Sequence, residues 1–224
     1  MKHTLLVLRT SLLCWWNRKA ILWAFVLFAA CELLLFPFAL GARLLKQTDV
    51  QLGVLWSSLE FLVVLVCGQL HSSDEAAGGW DYYLASRSSV VAWVAGKIIF
   101  VFLLLSGLEV FVLLSWQVLY SPQEAPWGAV TIALLCFNLG SASLGTLVSA
   151  LTQRAAARQV LQPILFFPLH AGILLAAVSA TVMSTPTYTH LGFFSLQAWW
   201  FVLSAYAALL CCFALLVAPS LWRE

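Results

Sequence analysis

The sequence predicts an all-α, polytopic integral membrane protein: six transmembrane helices preceded by an N-terminal interfacial amphipathic helix. Three observations lead there. Of the 224 residues, 63% are hydrophobic and only 9% are charged, a composition unlike that of soluble domains. The apolar residues fall into six continuous runs, at 21–41, 53–71, 90–120, 128–151, 160–183 and 198–219. A helix needs about 20 residues to cross about 30 Å of hydrocarbon, and unbroken apolar runs indicate helices where a barrel would alternate.

The elements follow in order. Residues 1–19 do not cross: Leu5, Leu8, Leu12 and Trp15 recur at helical spacing, with Lys2, Arg9 and Asn17 on another side. This suits a helix lying in the interface, although a cytoplasmic extension of the first crossing would read similarly. Asn17, Arg18 and Lys19 interrupt the early apolar run and no small-residue cleavage site follows, so this segment is not expected to be a cleaved signal peptide. The third crossing, 90–120, exceeds the hydrocarbon thickness and must tilt or project, which places Lys97 near the inner headgroups. The first crossing carries Pro37 and the fifth carries Pro168 and Gly172, the expected kink positions. The external connections are short, and no internal repeat is visible.

Loop charge sets the orientation. Nine basic residues (Lys2, Arg9, Arg18, Lys19, Arg87, Lys97, Arg154, Arg158, Arg223) fall on the side of the termini and two (Arg43, Lys46) on the other. The excess predicts cytoplasmic termini. Trp15, Trp16, Trp80, Trp93 and Trp222 are expected near inner ends and Trp116, Trp127, Trp199 and Trp200 near outer ends, as an aromatic belt.

Motifs for catalysis are absent: there is no GxxxxGK[ST] loop, no HExxH, and no nucleophile, base and orienter set. The six cysteines lack CxxC spacing and read as packing residues. The four histidines lack ligand spacing, so no metal is expected; His170 reads as a packed helix residue. The net charge of +2 gives no reason to invoke nucleic acid. Glu32, Glu60 and Glu109 fall inside crossings, where a carboxylate is costly. They belong either to a polar path or to helix packing, hydrogen-bonded to serines, Asn138 or Gln117. No basic residue sits at comparable depth to pair with them.

One polar interruption stands out, residues 69–89, QLHSSDEAAGGWDYYLASRSS. Ser72 and Glu75 have capping-box spacing, and Asp74 and Glu75 suit a helix N-terminus. Gly78 and Gly79 break that helix. Trp80, Tyr83 and Leu84 then recur at helical spacing with Asp81 on another side. A structured cytoplasmic connection of this length exceeds the usual 2–8 residues between packed helices, and residues 72–89 read as an acidic and aromatic knob.

With these residues in view, the chain resembles the haem exporter protein B (CcmB) family, the membrane subunit of the cytochrome c maturation ABC transporter, related to ABC-2 type permeases. The resemblance rests on LFPFALG at 35–41; on Gly53 and Trp56 followed by Asp74, Gly78, Asp81, Ala92 and Lys97 in register; and on the run 144–174, LGTLVSALTQRAAARQVLQPILFFPLHAGIL. Departures occur at Gly68 and Gln69, Ala77, Ser86 and Arg87, and Gly172. The resemblance implies a non-catalytic permease subunit, with ATP hydrolysis in a separate ATPase docked on Asp74, Glu75, Gly78, Trp80, Asp81 and Arg87. It also implies a homodimer in the bacterial inner membrane, in contact with lipid, a haem-handling membrane partner and a periplasmic haem chaperone. No cofactor is expected to be bound directly. Haem would be the transported or handled species, with His190 on the outer loop as a candidate contact. A generic ABC-2 exporter of lipid, glycan or drug, or a membrane scaffold without transport, is the alternative reading.

Overall fold

A computed structural model describes residues 2–16, 19–69, 89–122, 125–152, 157–191 and 193–221. Its elements are α1 (Lys2–Trp16), α2 (Lys19–Leu44), α3 (Thr48–Gln69), α4 (Val90–Tyr120), α5 (Trp127–Thr152), α6 (Arg158–Val182), a 3-10 turn (Pro186–Leu191) and α7 (Phe193–Leu221). Six helices, α2 to α7, are long and apolar enough to cross a membrane. The predicted all-helical, polytopic architecture is therefore the observed one, with α1 as the short additional helix.

The bundle is built around α5 and α3. In α5, 72% of the apolar window is buried, against 17% in α2, so α5 is central and α2 peripheral. The reason lies in the sequence NLGSASLGTLVSALT of α5: small residues let neighbouring backbones approach where lipid offers no hydrophobic drive for association. A methyl placed on Gly145 would fall 2.6 Å from Cys67 Sγ, and one on Gly140 would collide with Ile173 Cδ1. Helices α4, α6 and α7 pack around α5, while α2 packs on α3 and α4.

The α1 helix lies along α4, but through a different face from the one its leucines suggest. Val7, Ser11 and Trp15 are buried, whereas Leu5 and Leu12 are exposed. Two features of α4 select this face. Gly96 leaves room for close approach, since a methyl there would meet Val7 and the Thr4 carbonyl at 3.0–3.1 Å. Lys97 donates from Nζ to Ser11 Oγ at 2.8 Å and lies 5.5 Å from the Trp93 ring and 5.7 Å from that of Phe100, a cation–π setting. Lys97 is only 2% exposed. It is covered by α1 rather than extended to headgroups, because the cation finds a hydroxyl and two aromatic faces within the protein.

Trp15, Trp93 and Trp116, expected near helix ends, lie there but are buried within the bundle. The Trp116 indole donates to the Gln51 carbonyl at 2.9 Å. The Tyr120 hydroxyl donates to the Leu33 carbonyl at 2.8 Å, and the Gln51 amide to that of Leu45 at 2.7 Å. These bonds clamp α2, α3 and α4 together at one end.

Pro37 and Pro168 lie within α2 and α6, which run through them. The residue of α2 with non-helical torsions is Gly41, at φ 75° and ψ 156°, a region open essentially to glycine alone. Gly172 accommodates the ring of Tyr206, which would contact an added methyl at 3.3 Å and whose hydroxyl donates to the Leu169 carbonyl at 2.7 Å. Gly41→Ala is expected to destabilise the protein by about 1–3 kcal/mol, read as a lowered thermal midpoint in detergent. Gly53→Ala, inside α3 where an added methyl meets nothing within 4 Å, should hold or slightly raise that midpoint, because alanine is the better helix former.

Candidate functional site: a polar ladder between α3 and α6

The α3 helix runs antiparallel to α6 and is joined by polar contacts at four levels, three to α6 and one to the 3-10 turn that follows it. At the first, the Gln162 amide of α6 donates to the Cys67 carbonyl in the last turn of α3, and to Ser149 Oγ of α5 at 3.0 Å. The Cys67 carbonyl needs such a donor because the last four carbonyls of a helix have no partner within it. At the second level, His170 Nδ1 meets Glu60 Oε2 at 2.6 Å, and His170 Nε2 meets Ser141 Oγ of α5 at 2.7 Å. At the third, the Trp56 indole donates to Thr181 Oγ1 at 2.9 Å. At the fourth, the Tyr188 hydroxyl of the 3-10 turn donates to Asp49 Oδ2 at 2.6 Å.

The side chains at the middle levels are enclosed. His170, Ser141 and Thr181 are fully buried, and Glu60 is 3% exposed. The imidazole is packed between Phe166, stacked at 4.7 Å, and Phe137, edge-on at 4.9 Å. Ser141 Oγ also reaches the Phe137 carbonyl at 2.6 Å. Glu60 Oε1 has no hydrogen-bond partner among the described residues.

Glu60, His170 and Ser141 thus assemble the connectivity of an orienter, a base and a hydroxyl, which no motif had indicated. In acyl-transfer enzymes that chain activates a nucleophile. Here Ser141 Oγ is sealed inside the bundle, so no substrate carbonyl reaches it in this conformation, and the chain acts as an interhelical hydrogen-bond network. The expectation that no basic residue pairs with the intramembrane acids is overturned for Glu60. Its partner, His170, is 110 residues away in sequence, and only the antiparallel packing of α3 and α6 brings the two level.

A signal for the ladder was present. Asp49, Trp56, Glu60 and Cys67 are spaced by 7, 4 and 7 residues, which places them on one helical face. Gln162, His170 and Thr181 likewise share a face of α6. What the pattern lacks is any indication of which helix lies opposite.

The other predicted residues are dispersed. Glu109 of α4 accepts from the Asn138 amide of α5, which also donates to Ser106 Oγ at 3.2 Å; this is the anticipated pairing through Asn138, and it does not join the ladder. Glu32 is half-buried on α2, and its Oε2 has no partner among the described residues. His190 lies in the 3-10 turn, but its side chain is outside the described residues. Asp74, Glu75, Gly78, Trp80, Asp81 and Arg87 all fall in 70–88, outside them as well. No three His, Cys, Asp or Glu side chains among the described residues converge as a metal site.

The fold and this network define a class: a multi-pass helical membrane protein whose polar chemistry is interhelical and sealed. Residues 3–220 match the family described as CcmB protein, and the chain belongs to that family, the haem exporter protein B family. Its members are membrane permease components of haem-export and cytochrome c maturation ABC systems, which include an ATPase partner. No individual curated protein matches the chain.

Two tests follow from the ladder. His170→Ala leaves the buried Glu60 carboxyl without its imidazole partner and should cost about 1–3 kcal/mol, measured as reduced thermal stability in detergent. At the fourth level, the hydrogen bond to Asp49, with the carboxylate's charge, raises the Tyr188 pKa. A group raised in the folded state contributes stability below its unfolded value, about 10, and loses it as pH passes the folded value. The latch should therefore hold at neutral pH and open only in alkali above the ordinary tyrosine range. Phenolate absorbance should show a late-titrating component, and Tyr188→Phe should lower its amplitude by one tyrosine.

Proposed function

We infer that this chain is the permease subunit that carries ATPase motion across the bacterial inner membrane in cytochrome c maturation, in the service of haem export or release of a haem-loaded chaperone. The observation that carries the reading is the ladder's reach. Its first rung grips Cys67, three residues before the 70–88 segment, and its last holds Tyr188 in the outer connection. A displacement of α3 at one end is thus tied at four levels to α6 and to the connection at the other.

In this reading the ATPase docks on Asp74, Glu75, Gly78, Trp80, Asp81 and Arg87. Both termini are cytoplasmic, as the charge asymmetry supports. The subunit works as a homodimer beside a haem-handling membrane partner and a periplasmic haem chaperone. Haem is the handled species rather than a resident cofactor, and His190 on the outer connection is a candidate contact. ATP hydrolysis belongs to the separate subunit.

Replacing both Asp74 and Asp81 by Lys should abolish co-purification of the ATPase and block cytochrome c assembly in cells. Undiminished ATPase capture together with normal assembly would overturn the docking assignment.

A further inference from the structure

We propose that Glu32 and the flank of α2 that carries it form the docking site for a transmembrane helix of a different chain, one that presents a basic side chain near the bilayer midplane. The site is separate from the ladder and independent of what the complex handles.

Of the three intramembrane acids, Glu60 meets His170 and Glu109 meets Asn138, whereas Glu32 Oε2 is buried with no hydrogen-bond partner among the described residues. Its depth makes that costly. Glu32 lies nine residues before Gly41, the end of the apolar span of α2, so at about 1.5 Å per residue it sits about 14 Å from that end, close to the middle of a hydrocarbon layer of about 30 Å. Headgroups and bulk water are beyond so short a side chain. A carboxyl at this depth ordinarily faces protein or a water-filled cavity, yet α2 is the least enclosed of the six crossings, with 17% of its apolar window buried.

Helical spacing puts Glu32 on the seam between the packed and lipid-facing sides of α2. Ala29 and Leu33 are buried, while Phe28 and Leu35, four residues before and three after Glu32, are 44% and 65% exposed. Ala30 and Leu34 line an apolar groove with Leu114 and Val118 of α4, which marks the flank of α2 that meets α4. Glu32, two residues from each of them, lies on the opposite flank, toward the other neighbour of α2, which is α3. There Gly53 and Ser57 face outward: a methyl on Gly53 would meet nothing within 4 Å, and Ser57 is half-buried, its hydroxyl donating to the Gly53 carbonyl at 2.9 Å. Ser57 follows Thr48, the start of α3, by nine residues, a depth similar to that of Glu32. Small residues one turn apart let an incoming backbone approach closely.

Charge selects the occupant. An arginine or lysine on the incoming helix would donate to the unpartnered oxygen and offset the carboxylate's charge, the usual accommodation of an acid within a membrane. This chain does not offer that group from its own surface. Among the described residues, Lys97 is covered by α1 and His170 is sealed in the ladder, while Lys19 opens α2 and Lys46 follows it. A second copy docking here about a two-fold axis would bring the same patch, and with it another Glu32, a like group in place of a donor. The partner is therefore a different chain, and any pairing of two copies uses another face.

The test uses the full chain in lipid nanodiscs with synthetic polyleucine transmembrane peptides whose central residue is arginine, glutamine or leucine, and follows association by energy transfer between labels on chain and peptide. Wild type should bind the arginine peptide about tenfold more tightly than the all-leucine one, the size of one strong interhelical hydrogen bond in a membrane. Glu32→Gln should remove that preference. Leu34→Phe, on the flank toward α4, should keep it. Gly53→Leu leaves the acid in place but fills the approach on α3, so it should weaken capture of the arginine peptide; this variant serves if Glu32→Gln fails to fold. Arginine and leucine peptides bound equally, a glutamine peptide bound as tightly as the arginine one, a preference that survives Glu32→Gln, capture undiminished in Gly53→Leu, or association of two copies that Glu32→Gln abolishes would each overturn the site.

Discussion

A carboxyl group deep in a lipid-embedded bundle has no bulk water to solvate it, and Glu60 is such a group. Its hydrogen bond to His170 therefore constrains more than two side chains. To make it, the antiparallel α3 and α6 must take one stagger, and α5 must present Ser141 at the same level to occupy the other ring nitrogen. Once that register is set, Gln162 meets the end of α3, Trp56 meets Thr181, and Tyr188 meets Asp49. The ladder is a consequence of one register.

Energetically, each rung is modest. Interhelical hydrogen bonds in membrane bundles contribute about 0.6 kcal/mol on average and up to about 1.7, so four together supply a few kcal/mol. Their larger effect is on specificity. Apolar helices slide past one another with little penalty when lipid is as favourable a neighbour as leucine. A buried acid, amide or indole left unpaired by such a slip costs more than the contact gains. The small residues of α5 act in the same direction, since Gly145 admits Cys67 at only one level.

Much of the fold was legible in the chain. Six unbroken apolar runs led to six helices because the hydrocarbon thickness leaves few alternatives. The candidate site was less so. Glu60 was recognisable as an intramembrane acid and His170 as a packed histidine, yet neither pointed to the other. Lys97 and Trp116 were read as interfacial from their place along the chain, and nothing there indicated that α1 and the Gln51 carbonyl would cover them. Pro37 was a kink position in α2, while the non-helical torsions of Gly41, a conformation that side chains disfavour, had no signal beyond the glycine itself.

The sequence by itself determined the helical class, the number of candidate crossings, the family, and which polar residues must find partners away from water. These are properties of local composition and spacing, written along one strand of chain. Only the tertiary structure decided who those partners are: His170 for Glu60, Asn138 for Glu109, Ser11 for Lys97. Pairing across helices depends on relative rotation and stagger, and these emerge when several buried groups are satisfied at once, a condition no single segment encodes.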